Sequence, residues 1–283
     1  MKMIRIGKIN RLFVKQKWGN IIHLDGGRSG DILLKGKCSA EKYQPGDEIE
    51  VFVYVDREQR LLATSQKPYG MVGEFATLQV VANSAAGSFM NWGLDSDLFV
   101  PRSEQQEAMR EGTSYVVFIF LYDKNNRITA SSKLDKFFDP APPKYPEGEE
   151  VDLLVYAETA LGYSAVVNSA HAGMIYKNEV FQAIVIGQRL RGFVKKVRED
   201  GKIDLRLQQT GYGRVDDISQ VILDIIKDRG GRVAVTDKSP PEDVYALFGV
   251  SKKVFKKAVG ALYKQRLVVI DPDGIEIAGV SES

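Results

Sequence analysis

Two groups of aromatic and basic residues stand out in this chain by their types and spacing. Aromatic rings can stack on bases, and lysine or arginine can neutralise phosphates, so such groups are typical of single-stranded nucleic-acid binding. The first group consists of Trp18, His23, Arg28, Lys35 and Arg60, with Lys15 and Lys17 beside them. The second consists of Tyr163, Tyr176, Lys177, Lys195, Lys196, Arg198 and Arg206. In the alternative interpretation Trp18 and Tyr163 cover the ends of folded domains and the lysines form a solvated surface.

A third basic group lies near the C-terminus. Pairs at positions i and i+4 place its lysines along one side of a predicted helix, opposite apolar residues such as Phe255 and Leu262. Its members are Lys252, Lys253, Lys256 and Lys257. This face has no arginine, asparagine or glutamine to read base edges, so the pattern predicts phosphate contact rather than sequence-specific readout. A plain solvated face remains the alternative.

Catalytic and metal-binding motifs are missing from the sequence. It contains no HExxH, no GxSxG, no P-loop and no paired cysteine ligands. The glycine-rich stretch 26–30 lies between predicted strands and lacks the Lys-Ser/Thr of a phosphate-binding loop, which indicates a hairpin turn. We therefore expect a protein that is not an enzyme and that uses no cofactor and no metal.

Composition and charge favour a cytoplasmic protein with a polyanionic partner. The chain has one cysteine, Cys38, and its longest apolar run, 115–122, is far shorter than the ~20 residues of a membrane helix. Net charge is only +2, but it is unevenly spread. Residues 1–70 carry eight lysines and five arginines against four aspartates and four glutamates, whereas residues 71–140 carry an acidic excess. This asymmetry predicts that particular modules, and not the whole surface, meet the anion.

A repeated stretch reveals the elements that must position these residues. An alternating apolar strand, a charged turn and a second strand run from Gly46 to Lys67 and again from Gly112 to Lys133. A diverged third copy runs from Gly187 to Gln208. Corresponding positions are 67 and then 75 residues apart, which is the size of a small domain. About five strands per copy predict three closed five-stranded barrels of the OB type in series.

Beyond Gln208 the apolar periodicity changes from strand to helix. Apolar residues at 218, 221, 222, 225 and 226 predict an amphipathic first helix. A short second helix follows Pro240-Pro241, Ser251 is expected to cap a third helix, and Leu267 to Ala278 predicts a hairpin. This order of elements predicts a winged helix-turn-helix domain.

The expected organisation therefore has five parts. They are OB module one (1–68), OB module two (69–138), a proline-rich linker (139–146), OB module three (147–211) and the winged helix (212–283). In module two the strand 115–122 is apolar on both faces, which predicts that this module packs against an adjacent domain. Together with its acidic balance, this makes module two the least suited of the three to bind an anion.

The chain resembles a known family. Gly173-Met-Ile-Tyr-Lys-Asn-Glu and Asp200-Gly-Lys-Ile-Asp-Leu are similar to motifs of the OB domains repeated in ribosomal protein S-one. The whole chain is similar to the bacterial conserved virulence factor B proteins, which have three such domains followed by a winged helix. The resemblance implies a non-catalytic RNA-binding protein that regulates gene expression after transcription. Tyr176 stands where these domains have histidine, and module two has Val100 at that place.

We therefore expect single-stranded RNA as the main partner, bound by stacking and phosphate contact with weak sequence preference. Module three would bind most, with module one and the winged helix assisting. No membrane partner is expected. Two alternatives stay open: a DNA-binding transcriptional regulator acting through the winged helix, and a protein-interaction scaffold suggested by the apolar strand around Phe118 and Phe120.

Overall fold

The computed structural model describes residues 3–35, 42–56, 58–122, 126–177, 180, 183–207 and 215–278. They form three closed five-stranded barrels and a winged helix, as the sequence predicts. The chain divides into two compact units, residues 1–140 and 141–283, and the division falls within the proline-rich segment. Cys38 and the end of the motif that begins at Gly173 lie outside the described residues.

The first barrel consists of five strands, in the spatial order β1-β2-β3-β5-β4. They are β1 (Ile9–Trp18), β2 (Ile21–Asp25), β3 (Asp31–Lys35), β4 (Glu48–Val55) and β5 (Leu61–Thr64). Alternation along β4 sends Ile49, Val51 and Val53 into the barrel core, as expected. A register shift in β1 between Val14 and Gln16 bends this strand at the point where it leaves β4 for β2.

The second barrel has the same strand order and the same parallel pairing of its third and fifth strands. Its strands are β6 (Glu74–Asn83), β7 (Gly87–Asn91), β8 (Leu98–Pro101), β9 (Ser114–Tyr122) and β10 (Arg127–Ser131). Val117 and Ile119 of β9 are fully buried in its core.

The third barrel repeats the plan once more. Its strands are β11 (Glu150–Glu158), β12 (Gly162–Val167), β13 (His171–Tyr176), β14 (Arg189–Val197) and β15 (Ile203–Arg206). The repeated sequence stretch is thus the antiparallel pair of the fourth and fifth strands in every barrel.

Gly19, Gly87 and Gly162 stand just before or at the start of the second strand in the three barrels, and the last two share a structural reason. A Cβ at Gly87 or Gly162 would lie only 2.2 or 2.0 Å from the carbonyl oxygen of Val100 or Ile175 on the next strand. Only glycine permits this close backbone approach. Gly19 differs, because it lies in the turn before β2 with a positive φ of 57° and open space around it.

The outer face of β9 is not covered in the way that the sequence predicted. Phe118 and Phe120 contact Phe137, at ring-centroid distances of 4.2 and 5.2 Å. Phe137 ends a short 3-10 helix, Leu134–Phe137, that follows β10 in the same module. The two-faced apolar strand is therefore covered by its own module, and it no longer supports a protein-interaction scaffold.

Module two does pack against module one, but through other strands. Phe52, on the outer face of β4, is fully buried and lies in the hydrophobic cluster of the second barrel. Its ring meets the edge of Trp92 at a centroid distance of 5.6 Å. A salt bridge from Lys8 to Glu74, 3.3 Å long, adds a polar contact between the same two barrels.

The winged helix contains three helices and a small sheet. Its elements are α1 (Val215–Asp228), β16 (Arg232–Val233), α2 (Pro241–Phe248), α3 (Lys252–Lys264), β17 (Val268–Asp271) and β18 (Gly274–Ile277). Ser251 caps α3 as expected, because its side chain accepts a hydrogen bond from the N–H of Val254. Val221, predicted to face the core, is 45% exposed, whereas Leu223 is buried. The short strand β16, which pairs with β18, was not predicted.

Candidate nucleic-acid interface

In the first barrel the strand alternation presents Trp18 and His23 outward. Ile22 and Leu24 of β2 are buried in the core, so Ile21 and His23 point away from it. Trp18 is opposite Ile21 at the end of β1, and these side chains are 62% and 50% exposed. The Trp18 and His23 rings meet edge to face with centroids 5.4 Å apart. The structure therefore leaves this pair accessible for stacking.

The outward row that contains His23 continues across the sheet. His23 is opposite Leu33, Leu33 is opposite Leu62, and Leu62 is opposite Tyr54. Lys35 ends β3 beside this row and is exposed. This row, which crosses β2, β3, β5 and β4, is therefore apolar and aromatic, with the cation Lys35 beside it.

Arg60 is held within its own turn. Its backbone N–H donates to Asp56 Oδ1 over 3.0 Å, and its Nε and Nη2 donate to Oδ2 over 2.9 and 2.7 Å. These interactions lower the pKa of Asp56 and raise that of Arg60. Glu58 adds a second carboxylate at 2.8 Å. Arg60 would have to leave these carboxylates to contact a phosphate, and its role in RNA binding stays a prediction.

The other cations of module one differ in their contacts. Arg28 lies exposed on the turn between β2 and β3. Lys15 forms a salt bridge of 2.6 Å with Asp31, and the hydrogen bond to that carboxylate raises the pKa of the lysine. Lys17 donates to the carbonyl oxygen of Tyr43.

The second barrel presents aromatic side chains on its outer face that the sequence analysis did not identify. Gly87 is opposite Pro101, just as Gly162 is opposite Tyr176. Pro101, and not Val100, is therefore the counterpart of Tyr176, and Val100 is buried in the barrel core. One residue earlier, Phe99 points outward. It pairs with Phe89 of β7, with ring centroids 5.1 Å apart. Strict alternation from the buried Val100 would have predicted this orientation.

In the third barrel, the predicted aromatic pair is split between two faces. Tyr163 packs against the barrel core, which agrees with the alternative interpretation that it covers a barrel end. Tyr176 lies on the outer face and contacts Arg198, whose guanidinium lies 5.9 Å from the ring centroid and donates to the hydroxyl. Arg198 Nε also donates to Asp204 Oδ1 over 2.9 Å. Tyr176 and Arg198 are thus brought together, but a carboxylate already neutralises the cation.

The remaining cations of this barrel fall into two classes. Lys177, Lys195 and Lys196 are exposed. Arg206 is buried, with 8% of its surface exposed, and its Nε and Nη2 have no hydrogen-bond partner among the described residues. Its burial on β15 leaves little of the side chain for a phosphate to reach, and its role in RNA binding stays a prediction.

On α3 the four predicted lysines lie in two rows. Lys252 donates to the carbonyl oxygen of Ser239 over 2.7 Å, and Lys256 lies 3.5 Å from Asp237. Both lysines therefore also contact the segment that precedes α2. Lys253 and Lys257 form the second row, which is exposed to solvent. These two lysines are the better placed for a phosphate backbone.

Other classes of site find no support in the described part of the chain. No group of three or more histidine, cysteine, aspartate or glutamate residues there is arranged to hold a metal ion. None of the helices within it has the length and apolar character needed to span a membrane.

Comparison with known families and proteins identifies the same domains. A model of the S1 domain matches residues 6–66 and 72–133, which are the first two barrels. A model of the CvfB-like winged helix domain matches residues 220–277. S1 and winged-helix domains are nucleic-acid-binding domains, and both kinds are present in this chain.

Several curated proteins are similar over most of the chain. Conserved virulence factor B of Staphylococcus epidermidis is 23% identical over 96% of this chain and 94% of its own length. Protein YitL of Bacillus subtilis is 28% identical over 82% of this chain and 80% of its own. Among solved structures, a Streptococcus pneumoniae multidomain protein with nucleic acid binding domains is 22% identical, with a TM-score of 0.45, over 96% of this chain and 98% of its own.

Proposed function

Because this chain belongs to the CvfB-like proteins, with S1 domains followed by a CvfB-like winged helix, we propose that it binds single-stranded RNA. It acts without catalysis, as a regulator of gene expression after transcription, and it works in the cytoplasm. The RNA is held by stacking and by phosphate contacts, so its sequence preference is weak.

The observation that carries this proposal is the contact between exposed Trp18, at the end of β1, and half-buried His23 on β2 of an S1 barrel. An exposed tryptophan beside exposed Ile21 leaves an apolar surface in water, which marks an interaction site. OB barrels bind nucleic acid over this face, where rings accept any base. Tyr176 and the exposed lysines of the third barrel, together with Lys253 and Lys257, would supply further contacts to the RNA.

Tryptophan fluorescence tests the proposal directly, because the two tryptophans differ in exposure. Trp18 is exposed, whereas Trp92 is 3% exposed and donates to the carbonyl oxygen of Ser96. Single-stranded RNA should quench the wild-type emission, and Trp18→Phe should lose most of that quenching. Titration of labelled RNA should also show Trp18→Ala weakening binding by about fivefold or more, since one stacked base contributes about 1–3 kcal/mol.

The salt dependence of that titration provides the second criterion. Affinity should fall as the salt concentration rises. The logarithm of the binding constant, plotted against the logarithm of the salt concentration, should have a slope of about −0.7 for each phosphate that the protein neutralises. Absence of binding at low salt, or binding that does not respond to salt, would exclude the proposed function.

Duplex DNA is the second candidate ligand, and the exposed Lys253 and Lys257 on α3 favour it. A third helix in this position enters the major groove in helix-turn-helix proteins. Competition between unlabelled duplex DNA and labelled single-stranded RNA decides between the two ligands. Displacement of the RNA by a lower concentration of duplex than of single strand would favour the transcriptional regulator.

A further inference from the structure

A cleft of about 970 Å³ lies between the outer faces of the first and second barrels, within one compact unit. Strands β3, β4 and β5 form one wall, and β7, β8 and β10 form the other. Its apolar lining includes Tyr54 and Leu62 from the first barrel and Phe89, Trp92 and Phe99 from the second.

The aromatic side chains of this cleft suit a flat ring as ligand. Phe89 and Phe99 are both half-buried, and their rings are tilted by 41° to each other. Tyr54 lies on the opposite wall, and its burial, together with the neighbouring Asp95 and Asp56, raises the pKa of its hydroxyl. Tyr54 therefore stays neutral, and it remains a hydrogen-bond donor at physiological pH.

The polar lining distinguishes a base from a phosphate. Three carboxylates, of Asp56, Asp95 and Asp97, line the cleft, together with the cations Lys35 and Arg127. Asp56 is already bound by Arg60, which does not line the cleft, and Asp95 accepts a hydrogen bond from Gln66. Once Asp56 is paired with Arg60, two carboxylates and two cations remain, so the lining has no positive excess that would attract a phosphate. Carboxylates accept hydrogen bonds from the exocyclic amino groups of adenine, cytosine and guanine, whereas uracil has no such group and offers only its ring N3–H.

The cleft adjoins the outer surface of the first barrel. The outward row His23–Leu33–Leu62–Tyr54 runs from the Trp18–His23 pair into the cleft, where Leu62 is 4% exposed and forms part of the wall. It crosses three strand spacings, or about 14 Å. A single RNA strand that stacks on Trp18 therefore has an apolar path along this row to the cleft, with Lys35 beside it.

We propose that this cleft binds an amino-bearing base of single-stranded RNA, stacked against Phe89 and Phe99 with its amino group directed to Asp97 or Asp95. The inference rests on the proposed RNA-binding function and extends it to a specific subsite. It assigns RNA binding to the second barrel, whose acidic balance had argued against it.

Binding of labelled twelve-residue oligo(A) and oligo(U) to the full chain tests this subsite. The wild type should bind oligo(A) more tightly. Phe99→Leu and Phe89→Leu keep an apolar side chain but remove the ring, and each should weaken oligo(A) binding about five- to tenfold. Oligo(U) binding should change less than about twofold, because the uracil base is not held in the cleft. Phe13→Leu is the control, since Phe13 is 54% exposed on β1 and does not line the cleft.

Asp97→Asn provides a second variant that leaves the aromatic lining intact. It should narrow the preference for oligo(A) over oligo(U), because an amide can donate to uracil as well as accept from adenine. Equal wild-type affinity for the two oligonucleotides, or unchanged oligo(A) binding by both leucine variants, would overturn the subsite. If RNA still quenches Trp18 in that case, the proposed function stands alone, whereas a wild type that binds neither oligonucleotide overturns both.

Discussion

At the scale of single residues, the contacts of a cation decide whether it is available to a ligand. The sequence does not distinguish Arg28 from Arg60. In the structure, two carboxylates of its own turn bind the side chain of Arg60. Arg198 is likewise bound by Asp204 on the neighbouring strand. Arginine forms such paired contacts readily, because its planar fork matches a carboxylate. A count of basic residues therefore overstates the number of cations that are available to contact phosphate.

The turn around Asp56 should stabilise the first barrel in a pH-dependent way. The pKa of Asp56 is lowered, so its contribution is complete above the ordinary pKa of about 3.9 and is lost as pH falls through the folded value. Asp56→Asn should therefore lower the melting temperature at pH 7, and the difference from wild type should shrink as the pH falls below the ordinary pKa of the carboxyl. Thermal unfolding at several pH values measures this. A difference that persists unchanged at low pH would contradict the role of the ionised carboxylate.

At the scale of elements, α3 shows how one helix separates structural from exposed lysines. Its buried face, Phe255, Ala258, Val259 and Leu262, fixes the rotation of the helix. Lys252 and Lys256 then face the segment before α2, whereas Lys253 and Lys257 face solvent. The spacing of four lysines in the sequence contains both rows but does not tell them apart.

Replacing the exposed row should change RNA binding without changing stability. If Lys253 and Lys257 each contact a phosphate, the double variant with Gln at both positions should reduce the magnitude of the salt slope by about 1.4. Lys227→Gln, at an exposed lysine of α1 that lies 3.6 Å from Asp224, should leave the slope unchanged and serves as the control. The measurement is RNA affinity across a salt series. An unchanged slope in the double variant would remove the winged helix from the interface.

At the scale of the whole molecule, the first two barrels form one compact unit, and their contact combines apolar packing with the Lys8–Glu74 salt bridge. Phe52, on the outer face of its own barrel, is buried against Trp92 of the next. Barrels joined in this way keep the intervening cleft in a defined shape, which a flexible tandem array does not. The five-part division of the chain at residues 68, 138, 146 and 211 stays a prediction.

Truncating Phe52 should destabilise both barrels together. Loss of a fully buried phenylalanine typically costs about 3–5 kcal/mol, and here the cavity would lie at the contact between the barrels. Hydrogen exchange of Phe52→Ala should therefore accelerate in β6–β10 as well as in β1–β5. Phe13→Ala, at an exposed position on the same barrel, should leave exchange nearly unchanged. Acceleration confined to the first barrel would show that the two barrels unfold independently.

The sequence by itself determined the repeat, the three barrels and the winged helix, because apolar periodicity directly encodes which face of each element is buried. It also identified Trp18, His23 and the lysines of α3 as candidates. Only the tertiary structure decided which candidates are accessible. Ion pairs such as Arg60–Asp56 and the inward orientation of Tyr163 depend on turn geometry and strand register. The cleft depends on side chains from two barrels, and no local pattern within either barrel predicts how they pack together.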